Sequence, residues 1–344
     1  MSAQNKILVI LTGGTICSSK NQKGERYADA ENVQIIEHFQ SSNSPFSKSV
    51  SFDALIPTNI LSENMTVNTW NTLLDSLRRE VDWTGYRGII MLHGTDTLAY
   101  TSSLLALTLA GTPIPVCIVS AQQPLYRSDT NGYANFRASV ELIMNGIAPN
   151  VYVVYRNMDG RMYVHYGAHL LQCANYSNDF FSYDAMEVQN TENAYLCGKA
   201  YETNASILTR MKPLGASVLY ILPYVGLDYE KISLEGVEAV VHGTYHSDSV
   251  CVERSGGEGS VSGFSILTLI ERCKQANIPL MLAPCNREAY RYESTGDALR
   301  SVAYAAEGMT VEMSYVKTLV GCALGYQGTD LVRFVERSVN FEVR

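Results

Sequence analysis

Short runs of aliphatic and β-branched residues alternate along this chain with segments of helical period, the pattern of a parallel sheet covered by helices. The first run is residues 6–12 (KILVILT), followed by Gly88–Leu92 (GIIML), residues 115–120 (PVCIVS) and residues 151–155 (VYVVY). All are nearly continuously apolar, as strands buried on both faces must be. Between them Thr66 is placed to cap a helix whose Trp70, Leu73, Leu74 and Leu77 fall at i, i+3, i+4 and i+7, one stripe to cover the sheet. Residues 97–110 and 131–145 predict further helices. Asp159-Gly160 is a turn signal that folds residues 151–166 into a hairpin.

From 184 to 212 the chain turns polar and irregular, before strand-like runs resume at 216 (ASVLYILP) and 237 (VEAVVHG). A helix after Ser262, an apolar strand over 279–283 and helices over 297–307 and 311–323 complete the pattern. At 344 residues the chain exceeds the roughly 250–300 at which one core stops growing. The expectation is two α/β domains: a larger N-terminal one (1–183) with a doubly wound, mainly parallel sheet, a linker (184–212), and a smaller C-terminal parallel-sheet domain (213–344).

Composition narrows the partners. A net charge of −8 without a Lys/Arg cluster argues against nucleic acid. The most apolar stretch, 104–119, is broken by Gly111, Pro113 and Pro115, so no membrane span is expected. The N-terminus lacks a signal-peptide pattern, which places the expected location in the cytoplasm. Eight cysteines without a C-x-x-C spacing read as reduced thiols. His242 and His246 are four apart but follow a Val-rich strand, not a helix face, so no metal is expected. The Gly-rich tract 255–263 lacks the Gly-Lys-Ser/Thr of a phosphate loop and reads as an exposed loop, so no cofactor is expected either.

Ligands of open α/β sheets bind beyond the carboxyl ends of the strands. There the chain has two hydroxyl-rich turns, Thr12-Gly13-Gly14-Thr15-Ile16 and His93-Gly94-Thr95-Asp96-Thr97. A threonine attacks a carboxamide only if a base takes its proton and donors hold the oxyanion. Asp96 is the titratable group these turns offer as that base. Taken singly, each turn is an ordinary glycine turn, with Asp96 the cap of a helix and Thr95 a turn residue.

Together, TGGTI and HGTDTL resemble the signature motifs of the bacterial-type L-asparaginase and glutaminase family, in outline its cytoplasmic type. The likeness continues through Ser62-Glu63-Asn64-Met65, Gln122-Gln123-Pro124-Leu125, Arg127-Ser128-Asp129 and Asn135, then Leu222-Pro223, residues 239–245 and Gly308-Met309-Thr310. The resemblance implies hydrolysis of the side-chain amide of L-asparagine or a related small amide. Thr15 would be the nucleophile that forms an acyl-enzyme, and Tyr27, in a mobile lid over 18–33, its activating partner. Thr95 and Asp96 would form the second catalytic group. Ser62 and Glu63 would hold the α-carboxylate and α-amino ends, Asp96 would pair the ammonium, and Gly14 and Gln122 would complete the substrate site. The resemblance also implies a homodimer or homotetramer.

One departure bears on the chemistry. Aligning Tyr166-Gly167-Ala168-His169-Leu170-Leu171-Gln172 on the family's segment, with Phe181 matching a later phenylalanine, puts Gln172 where the family carries a catalytic lysine. An amide hydrogen-bonds but carries no charge, and the loss is of the general acid–base kind, about 10²- to 10⁴-fold. His169, three residues away, is the only basic candidate nearby. The alternative is therefore a weakened or redirected member that binds an amino acid or regulates. A component of a tRNA-dependent amidotransferase ranks third, because few residues precede the TGGT strand where such components usually carry a further domain. Tyr245-His246-Ser247-Asp248 also departs from a commonly Gly-rich family loop that approaches a neighbouring subunit.

Overall fold

The computed structural model describes residues 5–343 apart from 21–22, 24–25, 30–33, 189–190, 193–197, 205, 255–260, 286–291, 293–295, 297 and 299–304. The chain forms two compact units, Met1–Arg210 and Met211–Arg344.

The first unit contains β1 (Lys6–Leu11), β2 (Ser18–Lys20), β3 (Arg26–Ala28), α1 (Gln34–Gln40), β4 (Ser51–Leu55), α2 (Val67–Arg79) and β5 (Gly88–Leu92). It continues with α3 (Leu98–Thr108), β6 (Val116–Val119), α4 (Gly132–Met144), β7 (Val151–Arg156), β8 (Met162–Tyr166), β9 (Met186–Glu187) and α5 (Ile207–Arg210). Seven strands form one sheet in the order β4-β1-β5-β6-β7-β8-β9. The pairs from β4 to β7 are parallel, and those of β7 with β8 and β8 with β9 antiparallel. The predicted hairpin over 151–166 is therefore present.

Sequence explains most of these elements locally. Every residue of β5 and β6 is buried, in keeping with their unbroken apolar runs. In α2 the stripe Trp70, Leu73, Leu74 and Leu77 is buried, and Thr66 Oγ1 caps the helix by accepting from Thr69 N at 3.2 Å. By contrast α3 is buried on nearly every face, Tyr100 excepted, as expected of a helix that is apolar all round. After β1 the chain runs to β4 on one side, and after β5 to β6 on the other. The order reverses between β1 and β5, and a crevice opens at such a switch point.

The second unit carries a four-stranded, wholly parallel sheet of β10 (Val218–Ile221), β11 (Ala239–His242), β12 (Leu280–Cys285) and β13 (Ala305–Glu307). Its helices include α6 (Ile266–Gln275), α7 (Val311–Ala323) and α8 (Gly328–Glu336). Near its end, the fully buried Lys317 ammonium pairs with the fully buried Glu342 carboxylate at 2.5 Å. A larger doubly wound unit followed by a smaller parallel-sheet unit is the fold class the sequence predicts.

Two expectations are modified. Residues 305–307, expected in a helix, form β13 because pairing with β12 supplies main-chain partners that a solitary last turn lacks; much of 297–304 lies outside the described residues. The segment expected as an irregular lid contains the antiparallel pair β2–β3. Within the Gly-rich tract, 255–260 lies outside the described residues. Among the described residues no helix is long and apolar enough to cross a membrane.

Candidate active site

The switch point is built by three turns that approach backbone to backbone. Gly13 and Gly14 follow β1 with φ of 103° and 79°, a region that suits glycine. Gly14 N–H donates to Ile60 O at 2.8 Å, and Ile60 N–H to Thr12 O at 3.1 Å. A Cβ on Gly13 would collide with the Ile60 main chain, and one on Gly14 with the Gly94 main chain. A Cβ on Gly94 would in turn strike the Ser62 side chain. The glycines are thus what brings Thr15, Ser62 and the Thr95-Asp96 pair to one place. Thr15, half-buried, begins a short 3-10 turn, Thr15–Cys17, whose carbonyl accepts from Ser18 Oγ at 2.9 Å.

Ser62 is the hinge of the constellation. Buried, it donates Oγ–H to Asp96 Oδ2 at 3.1 Å and accepts from Asp96 N–H at 3.2 Å. Its carbonyl accepts from Thr97 Oγ1 at 3.0 Å. This corrects the helix-cap reading of Asp96. Thr97 holds the cap position of α3, without a side-chain cap bond, and the Asp96 carboxylate is exposed and held by Ser62. Glu63 lies on the same 3-10 turn, Ser62–Asn64, with its side chain exposed.

Asp96 is not the only titratable group of these turns. His93, completely buried, has Nδ1 at 2.7 Å from Gly94 O, which only accepts, so Nδ1 carries the proton. Burial pushes its pKa down to about 4, against smaller opposing effects of Gly94 and Asp96, so the ring is neutral at physiological pH. Its Nε2 is buried without a hydrogen-bond partner among the described residues.

Gln172 meets the site through the main chain, with Nε2 donating to Asp96 O at 2.5 Å. Gln122 follows β6, its Nε2 donating to Asp129 O at 3.0 Å and its N–H to Asn131 Oδ1 at 2.9 Å. Beside Thr95 and Asp96 opens a cavity of about 300 Å³, walled by Gln122, Tyr155, Gln172 and the segment from Cys173 to Phe180. Burial raises the Tyr155 phenol to about 12 and also raises the Cys173 thiol, helped there by the nearby Asp179 and Asp96 carboxylates. Sequence reasoning missed Tyr155 and this segment. Tyr155 had a signal, since it stands near the carboxyl end of a predicted strand.

Tyr27 lies on β3 opposite Ser19, 46% exposed, and no hydrogen bond joins it to Thr15 among the described residues. His169, the basic candidate near Gln172, is buried with Nδ1 3.5 Å from Asp184 Oδ2.

A hydroxyl-and-carboxylate site at the switch point of a doubly wound sheet, followed by a smaller parallel-sheet unit, defines a class of two-unit α/β proteins. The family model described as Asparaginase, N-terminal, matches residues 6–197, more than half of the chain, and the chain belongs to the asparaginase family. Among similar sequences, a glutamyl-tRNA(Gln) amidotransferase component of Saccharolobus islandicus is 33% identical over 138 residues, 40% of this chain and 30% of that protein. An L-asparaginase of Thermococcus kodakarensis is 31% identical over 151 residues, 44% of each chain. The chain thus spans less than half the length of the curated relatives it matches. In structure it is similar to the thermostable L-asparaginase of Thermococcus kodakarensis (TM-score 0.75, 20% identity, 98% of this chain and 99% of that one). It is also similar to L-asparaginase I of Vibrio cholerae (TM-score 0.70, 18% identity, 99% of each). A probable cytoplasmic L-asparaginase of Campylobacter jejuni aligns at TM-score 0.67 and 17% identity, covering 97% of this chain and 100% of that one.

Proposed function

We propose that the chain is an amidohydrolase that converts the side-chain amide of L-asparagine, or a related small amide, to the acid and ammonia. The observation that carries this reading is the convergence of the Gly14–Thr15 turn, Ser62 and Thr95-Asp96 at the β1/β5 switch point, with Ser62 bonded to both the carboxylate and the N–H of Asp96. Thr15 Oγ attacks the amide carbon, the C–N bond breaks, and water hydrolyses the resulting ester. Gly14 and Gln122 border the substrate, and Glu63 holds its amino end. Tyr27, on the segment that acts as a lid, assists Thr15.

Ser62 has one proton, which Asp96 accepts. For Ser62 to donate to a substrate carboxylate it must release Asp96, and the freed carboxylate is then available to the substrate ammonium. Binding thus exchanges one charge-assisted internal hydrogen bond for two. Gln172 tethers the Thr95-Asp96 turn by its main chain and adds no charge.

The test is ammonia release from asparagine and a panel of small amides by purified protein. Thr15→Ala is expected to lower kcat by about 10⁴-fold or more, as removal of a nucleophile does; activity retained in that variant would sink the reading. The same proposal includes a location in the cytoplasm, supported by the name of the Campylobacter neighbour and checked by fractionation, and a homodimer or homotetramer, which follows from family membership and is checked by light scattering.

A further inference from the structure

The second unit has a cavity of its own at the carboxyl edge of its sheet, where ligands of open α/β sheets gather. Its volume is about 450 Å³, within the range of small-ligand pockets. The turn after β10, the turn after β11, and Cys251, Glu253 and Phe264 wall it, all inside Met211–Arg344. None of these residues belongs to the site around Thr15 and Asp96.

Three rings with accessible surface line this cavity. Tyr224 is 61% and Phe264 47% exposed, and Tyr245 is half-buried. Among the described residues no other ring stacks on any of the three. Main-chain bonds set the turns that carry them. Leu227 N–H donates to Tyr224 O at 3.1 Å across Gly226, whose φ is 93°. Tyr245 N–H donates to Ser249 O at 2.8 Å, and Tyr229 N–H to Gly263 O, beside Phe264, at 2.9 Å.

Charge gives the cavity its sign. Among the described residues that line it, Glu253 alone is charged, and Ser262 Oγ donates to its Oε2 at 2.9 Å. Lys231, which follows this turn, pairs with Asp228 at 2.9 Å and is not part of the lining. An aromatic face carries the negative lobe of its quadrupole, so rings and carboxylate together attract cations and repel anions. A compact metal ion needs a shell of oxygens that one carboxylate and three rings do not supply. An alkylated ammonium is different: its charge is spread over methyl groups that pack on ring faces, and it needs no oxygen shell.

We propose that this cavity binds a small organic cation, an alkylated ammonium, against Tyr224, Tyr245 and Phe264, with Glu253 as its counter-charge. The net charge of −8 favours the approach of such a ligand. The proposal stands apart from the amidohydrolase reading, and either can fail alone.

The experiment is calorimetry on the whole protein with choline and with its uncharged isostere, in which carbon replaces the nitrogen. Choline is expected to bind about tenfold more tightly than the isostere. Tyr224→Leu and Phe264→Leu keep apolar bulk but remove a ring face; each is expected to weaken choline by about threefold or more and to leave the isostere nearly unchanged. Glu253→Gln is expected to weaken choline by about threefold and to reduce the salt dependence of its binding. Equal binding of choline and isostere overturns the proposal, since the cavity would then be merely apolar. So does the absence of choline binding at millimolar concentration, or unchanged choline affinity in the two leucine variants, folded by circular dichroism. A peptide carrying trimethyl-lysine that binds more tightly than choline would make the occupant a protein and overturn the assignment to a small molecule. Light scattering in which Tyr224→Leu dissociates the protein would place the cavity between copies of the chain and overturn it as well.

Discussion

The same short motif ends a central strand in each unit, and the two copies have opposite fates. His93-Gly94-Thr95-Asp96 follows β5, and His242-Gly243-Thr244-Tyr245 includes the last residue of β11 and the turn after it. Both histidines are fully buried, both have Nδ1 bonded to the carbonyl of the next glycine (2.7 and 2.6 Å), and burial lowers the pKa of both to about 4. In the second unit the next two polar atoms have partners. His242 Nε2 meets the Tyr229 hydroxyl at 2.9 Å, and Thr244 Oγ1 donates to Pro284 O at 3.0 Å. In the first unit His93 Nε2 is unpartnered, no hydrogen bond engages the Thr95 hydroxyl among the described residues, and a carboxylate replaces the tyrosine. A turn becomes a candidate site by what it leaves unsatisfied, not by its sequence alone.

Threonine substitution should separate the two copies most sharply. Thr95→Ala is expected to reduce kcat/KM for asparagine by about 10²- to 10⁴-fold, whereas Thr244→Ala is expected to cost about 1 kcal/mol of stability in urea unfolding. Comparable losses of activity in both would mean that the second turn also serves the reaction.

The glycines give the next test. A Cβ on Gly94 strikes Ser62, and its replacement by alanine is expected to lower kcat/KM by about 10²-fold through misplacement of the site. On Gly243 the Cβ meets the flexible end of the half-exposed Leu222 at 2.8 Å, so Gly243→Ala is expected to change stability by only about 0.5 kcal/mol.

A smaller gain is expected at the tether. Gln172→Lys restores a cation beside Asp96 and is expected to raise asparagine turnover by about tenfold; no change, read in the ammonia assay, would mean that the proton path does not pass Gln172.

The least difference is expected where the copies are most alike. A histidine held neutral by burial binds no proton between its unfolded value of 6.5 and its folded value of about 4, while the unfolded chain does. Stability from each is therefore complete above pH 6.5 and lost as pH falls towards 4, by up to about 1.4 kcal/mol per pH unit. His93→Gln and His242→Gln should each flatten the pH dependence of urea stability by a similar amount. Unequal flattening would show that the open and closed turns differ in more than their partners.

Strand and helix identity was legible in the sequence because burial on two faces, or along one stripe, leaves a period in the chain itself. Runs such as GIIML and the Trp70–Leu77 stripe depend on residues near one another. So do the two Gly-Thr turns, whose threonines and Asp96 were found from the rule that ligands gather at strand ends. What folding alone decided joins distant residues: Ser62 to Asp96, 34 apart, and Gln172 to the Asp96 carbonyl, 76 apart. The same holds for the strand β13, made by pairing with β12 against a local helical pattern, and for the cavity whose wall is Tyr155 and the 173–180 segment. Periodicity records which way a side chain faces. It does not record which partner stands opposite, and a site is made of partners.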